Sequence, residues 1–140
     1  MKKTVCLIVL LAICFLSACS DGLTSKEDVV KLYTKNEERF EKAAATGNFP
    51  DLEKIKGVAK VLVWDDYVDI QCGGAGFGPS THYYGIFYSE ADNLCAIDVA
   101  GPAAELTADG DGYRYKQSDG DNEYYVEPLG NHYFYYEAHF

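Results

Sequence analysis

The second half of this chain is almost without positive charge. Residues 61–140 hold two basic side chains, Arg114 and Lys116, against fourteen Asp and Glu, in a 140-residue sequence of net charge −10. Phosphate backbones are gripped by clustered Lys and Arg, so the composition argues against nucleic acid as a partner. The acidic half reads as a solvated surface that keeps the domain soluble and off anionic lipid headgroups. Histidine is scarce as well. His82, His132 and His139 are the full set, and none stands in an H-E-x-x-H pair. His132 and His139 are seven apart, which on one strand puts them on opposite faces. No metal centre is assigned from these residues. The sequence also lacks a G-x-S-x-G nucleophile elbow, an internal repeat of fixed period, and any apolar run of the ~20 residues that a membrane-spanning helix needs.

Two glycine-rich segments invite chemistry and fall short of it. Gly74-x-Gly76-x-Gly78 looks like a phosphate cradle, but such a loop must open a helix. Here Pro79-Ser80 leads toward a strand and no Lys follows. Asp109-Gly110-Asp111-Gly112 and Asp119-Gly120-Asp121-Asn122 suggest calcium. An EF-hand loop wants acids at positions 1, 3 and 5, Gly at 6 and Glu at 12, and neither segment keeps that register. Both read as turns in which Asp and Gly supply the backbone angles.

What is present is clearest at the start. Met1-Lys2-Lys3 precedes an apolar run from Val5 to Leu16, a positive n-region and an h-region of signal-peptide length. The run ends in Leu16-Ser17-Ala18-Cys19, which resembles the lipobox of bacterial lipoproteins. The resemblance implies that residues 1–18 are a signal peptide and that the Cys19 thiol accepts a diacylglycerol group. The peptidase then cuts before Cys19, which the small Ser17 and Ala18 permit. One acyl chain holds a protein only marginally, whereas two anchor it stably. The implied location is the extracytoplasmic face of the cell membrane, with membrane lipid as partner through acylated Cys19.

Residues 19–24 read as a lipidated tether and 25–140 as one domain. Cys6 and Cys14 leave with the signal, so Cys72 and Cys95 remain as a pair. In an oxidising compartment they read as a disulfide; the alternative is two buried thiols. Thr24-Ser25-Lys26-Glu27 fits a capping box. Val29, Leu32, Tyr33 and Phe40 then mark one face of an amphipathic helix that stops at Gly47. From Val58 the pattern turns to strands: 58–64, 67–72, 82–88, 94–99, 113–117, 123–128 and 132–139. Residues 101–112 read as irregular. The expected fold is α+β, an N-terminal amphipathic helix packed on an antiparallel sheet of about six to seven strands.

The aromatic load is the most unusual feature, with 12 Tyr and 7 Phe, most of them in the expected strands. Adjacent pairs such as Tyr124-Tyr125 and Tyr135-Tyr136 point to opposite faces, so one core face cannot bury them all. Either a second layer covers the other face, or the outward rings form a binding surface. The expected surface comprises Tyr124, Tyr125, Tyr135 and Tyr136 with Gly76 and Phe77 of the glycine loop. The tail from Gly112-Tyr113-Arg114-Tyr115 to Tyr133-Phe134-Tyr135-Tyr136 resembles the ends of small Gram-positive lipoproteins, a likeness that implies no activity. The expectation for function is a non-enzymatic binding or structural module in the cell envelope, without a cofactor, for a protein or glycan partner. A small envelope enzyme, or an accessory or inhibitory subunit of another exported protein, is the alternative.

Overall fold

A computed structural model describes residues 22–76, 80–97 and 106–139. They form an antiparallel sheet of seven strands with helices on one side, an α+β architecture. The strands are β1 (Lys60–Val63), β2 (Val68–Ala75), β3 (His82–Tyr88), β4 (Thr107–Asp109), β5 (Gly112–Lys116), β6 (Glu123–Gly130) and β7 (Tyr133–His139). Their spatial order is β1-β2-β3-β7-β6-β5-β4. Two meanders therefore meet where β3 pairs with β7 along its whole length, from His82 opposite His139 to Tyr88 opposite Tyr133.

The helical segment is not one helix. α1 (Lys26–Lys35) is capped by Ser25, whose hydroxyl accepts the Asp28 amide at 3.2 Å. The cap is Ser25 rather than Thr24. Asn36 then leaves helical geometry, and its side-chain amide donates to the Leu32 carbonyl at 2.8 Å. That bond ends α1 while the Asn36 carbonyl begins α2 (Glu37–Thr46). Gly47 closes α2 in the left-handed conformation, with φ 69°. This is where a residue without Cβ is favoured. A 3₁₀ turn over Phe49–Lys54 follows.

Strand alternation splits the apolar side chains between two clusters. Facing the helices, Val68, Ile70, Cys72, Ile86, Tyr133 and Tyr135 pack with Val29, Leu32, Phe40 and Leu52. On the other face, Phe87, Phe134, Tyr136, Tyr124, Val126 and Ala138 form a second cluster. The connection from β3 to β4 must run from the middle of the sheet to its far edge. Its described residues Leu94, Ala96, Ile97 and Leu106 pack on that second cluster, with Tyr67 and Tyr115 beside them.

This crossing explains three departures from expectation. Residues 94–97 form turns rather than a strand, because they cover the sheet instead of joining it. Thr107–Asp109, expected to be irregular, is the edge strand β4, paired with β5 around Gly110. The Cys72–Cys95 bridge is absent. Cys72 is fully buried in the helix-side cluster, whereas Leu94 and Ala96, the neighbours of Cys95, pack on the opposite cluster. The chain on either side of Cys95 thus lies on the face of the sheet opposite Cys72. Burial pushes the Cys72 thiol up to about 12, which keeps it protonated and unreactive.

Candidate binding cleft at the end of the sheet

The tyrosines expected to face outward do not. Tyr124, Tyr125, Tyr135 and Tyr136 are each at most 6% exposed, so the aromatic binding surface read from these four positions is overturned. The covering layer on the second face is the physical reason. Gly76 stands just past β2 with φ 128°, where an added Cβ would strike the Ser80 carbonyl oxygen. Its geometry serves a tight chain approach rather than a ligand. Phe77 and Cys19 lie outside the described residues.

The buried rings each deliver their hydroxyl to an acceptor. Tyr133 donates to the Phe40 carbonyl at 2.7 Å and Tyr124 to the Leu94 carbonyl at 3.0 Å. Tyr135 donates to Glu137 at 2.7 Å, Tyr125 to Glu127 at 2.5 Å and Tyr136 to Asp69 at 2.8 Å. Burial raises the pKa of all five, so they stay donors at neutral pH. Glu127 also pairs with Lys26, and the Arg114 guanidinium lies 4.9 Å from the centre of the Tyr125 ring. These acids are thus part of the scaffold.

The exposed functional groups gather instead where β3 ends and β6 turns into β7. Gly130 pairs with Tyr133, leaving the two-residue loop Asn131-His132 with φ 52° and 65°. Two successive positive φ values define the hairpin turn whose twist matches the sheet, and its second position usually takes Gly. A histidine there carries backbone strain. Its ring is held from outside: Nδ1 lies 2.8 Å from Oδ1 of Asp92, itself at φ 53°. The His132 carbonyl also accepts the Ser89 amide at 3.0 Å. The Asn131 amide reaches Glu41 at 2.9 Å, which ties the turn to α2.

Asp92, Asn131 and His132 border an open cleft of about 550 Å³ whose other walls are Leu94, Tyr113, Pro128 and Phe134. Small-molecule sites occupy roughly 300–1,000 Å³ and join apolar walls to a few polar groups. Tyr113, one of the exposed large apolar side chains, lines this cleft. The arrangement offers a carboxylate, an imidazole and an amide around apolar walls. In the sequence, His132 stands as the first residue of an expected strand and as a poor metal ligand, and nothing marks it as part of a cleft. Asp92 is missed altogether, because nothing in the primary pattern links residues 40 positions apart. Among the described residues no three His, Cys, Asp or Glu side chains cluster as a metal site, and no helix is long and apolar enough to cross a membrane.

The described residues form an antiparallel α+β domain with an open, mixed-polarity cleft beside Asp92 and His132. No protein-family model, no curated protein and no solved structure matches the chain.

Proposed function

We propose that this protein is a cell-envelope lipoprotein whose domain is a binding module, anchored through acylated Cys19 and presenting the Asp92–His132 cleft away from the anchor. The observation that carries the reading is the point where the tether joins the fold. Gly22 bridges to Gly73, and the Leu23 amide donates to the Cys72 carbonyl at 2.9 Å. Both glycines are needed there, since a Cβ on Gly73 would lie 2.3 Å from the Leu23 carbonyl oxygen. Only Ser20 and Asp21 separate Cys19 from this junction, a reach of at most ~11 Å at about 3.6 Å per residue. A lipid on Cys19 therefore holds the domain against the membrane.

In this reading the helices that follow the tether form the N-terminal layer packed on the sheet. Gly73 lies toward the end of β2 opposite Val68, and Val68 stands level with Tyr88 and Tyr133 at the cleft end of the sheet. The cleft thus faces away from the tether. Its apolar walls, carboxylate and imidazole suit a protein or glycan partner. Metabolic labelling with a radioactive fatty acid tests the anchor: Cys19→Ala is expected to abolish incorporation and release the protein from the membrane fraction. Unchanged labelling would sink the reading.

A further inference from the structure

The lysines of the helical layer are not spread evenly. Lys31, Lys35, Arg39, Lys54 and Lys56 line one open cleft of about 660 Å³ between α1 and the segment after the 3₁₀ turn. One carboxylate, Asp28, borders it, and the Ser25 hydroxyl already donates to that carboxylate at 2.8 Å. Lys54 pairs with Asp51 at 2.6 Å, and Arg39 donates to the Asp51 carbonyl at 3.3 Å. Lys31, Lys35 and Lys56 are exposed, and no salt bridge among the described residues engages them. Five cations on one surface of a chain of net charge −10 make a local positive potential that attracts anions.

The place of this cleft says what meets it. Its wall includes Leu23, the residue stitched to β2 and only four positions after Cys19. We propose that the basic cleft seats the helical layer on the anionic phosphate headgroups of the membrane that carries the anchor. The surface thereby fixes the orientation of the domain. This inference rests on the lipid-anchor reading. Lys and Arg beside an acidic leaflet gain attraction within about a Debye length of its surface. A tether of two residues keeps them within that range. Of the acids outside the helical layer, Asp65-Asp66, Glu90, Asp92, Asp109 and Asp111 sit at the cleft end of the sheet, and Asp119, Asp121 and Glu123 of the β5–β6 connection sit at the other end, beyond β5. The basic side therefore meets the bilayer, and the acidic cleft end is repelled from it.

Amine labelling read by mass spectrometry tests this on the lipidated protein itself. The protein is reconstituted on phosphatidylcholine vesicles and on vesicles that include phosphatidylglycerol. Lys31, Lys35 and Lys56 are expected to lose labelling several-fold on the phosphatidylglycerol vesicles at low salt and to regain it in high salt. Lys42, Lys60 and Lys116, which do not line the cleft, serve as controls. Equal labelling of the cleft lysines on both vesicle types would overturn the proposal. So would their protection by millimolar inorganic phosphate without vesicles, which would mark a soluble-anion site. Flotation separates this from the anchor: failure to float with phosphatidylcholine alone would refute the lipid on Cys19. Salt-sensitive flotation with phosphatidylglycerol would still uphold the basic cleft. The triple variant Lys31→Gln, Lys35→Gln and Lys56→Gln is expected to lose that salt-sensitive component while keeping its melting temperature.

Discussion

Asp69 shows how the tyrosines shaped the choice of acids at the residue scale. Its carboxylate is 8% exposed and held by the Tyr136 hydroxyl at 2.8 Å and the Gln71 amide at 2.8 Å. Burial outweighs both bonds and raises its pKa above the ordinary carboxylate value. The folded state then binds the proton more tightly than the unfolded chain. Stability is accordingly undiminished below the unfolded pKa of about 3.9 and falls as pH rises from there through the raised folded value. Asp69→Asn keeps an acceptor for Tyr136 and removes the titration. The urea midpoint of the native protein, measured relative to that of the variant from pH 3.5 to 7, should fall across that window. A difference between the two proteins that does not change with pH would show that Asp69 does not titrate in that window. The same logic makes the motif Tyr-x-Glu readable: Tyr125-x-Glu127 and Tyr135-x-Glu137 share a strand face by period-2 alternation, and each forms its hydrogen bond.

Among the elements, α2 meets β7 through a buried aromatic joint. Phe40 is fully buried, with its ring 5.2 Å from Tyr133 and 5.0 Å from Tyr33. Tyr133 closes the joint by donating to the Phe40 carbonyl. Truncating a buried Phe to Ala removes its transfer free energy and leaves a cavity, typically ~3–5 kcal/mol. Phe40→Ala is therefore expected to cost about that much in chemical denaturation. Tyr133→Phe, which loses one net hydrogen bond, should cost about 0.5–1.5 kcal/mol. Nearly equal costs would mean that the ring contacts matter less than the bond. The break at Asn36 belongs to this scale too. Apolar periodicity carried straight through residues 29–44 and gave no sign of it, because Asn36 acts by capping the Leu32 carbonyl rather than by its pattern position.

For the whole molecule, net charge and its placement set the solution behaviour. With 22 acids against 12 basic residues, self-repulsion works against the folded state. Acids occupy loops at both ends of the sheet, and the exposed pairs of Arg114 with Asp109 and of Lys116 with Glu123 offset little of the repulsion. Raising NaCl from 10 mM to about 0.15 M shortens the Debye length from about 30 Å to about 8 Å. The melting temperature at pH 7 is expected to rise over that range. A fall would show that local pairs outweigh the collective repulsion.

The sequence by itself determined the α+β class, most of the antiparallel strands and the turn at Gly110, because these rest on local periodicity and backbone preference; His132, read as the first residue of the last strand, belongs to the turn before it. The seven strands the sequence called for did not all fall where expected. Residues 94–97 are apolar and resemble a strand, yet only the crossing of the β3–β4 connection decides that they cover a face. That same crossing buried Tyr124 and Tyr136, which no count of paired aromatics reveals. Tertiary structure alone set Asp92 against His132, put Cys72 and the neighbours of Cys95 on opposite faces of the sheet, and gathered Lys31, Lys35 and Lys56 beside Leu23. Along the chain, residues 19–60 hold eight cations and eight acids and look neutral. Folding divides them in space, because helical turns and chain reversals place residues 25 positions apart on one surface, and a linear charge balance carries no information about that.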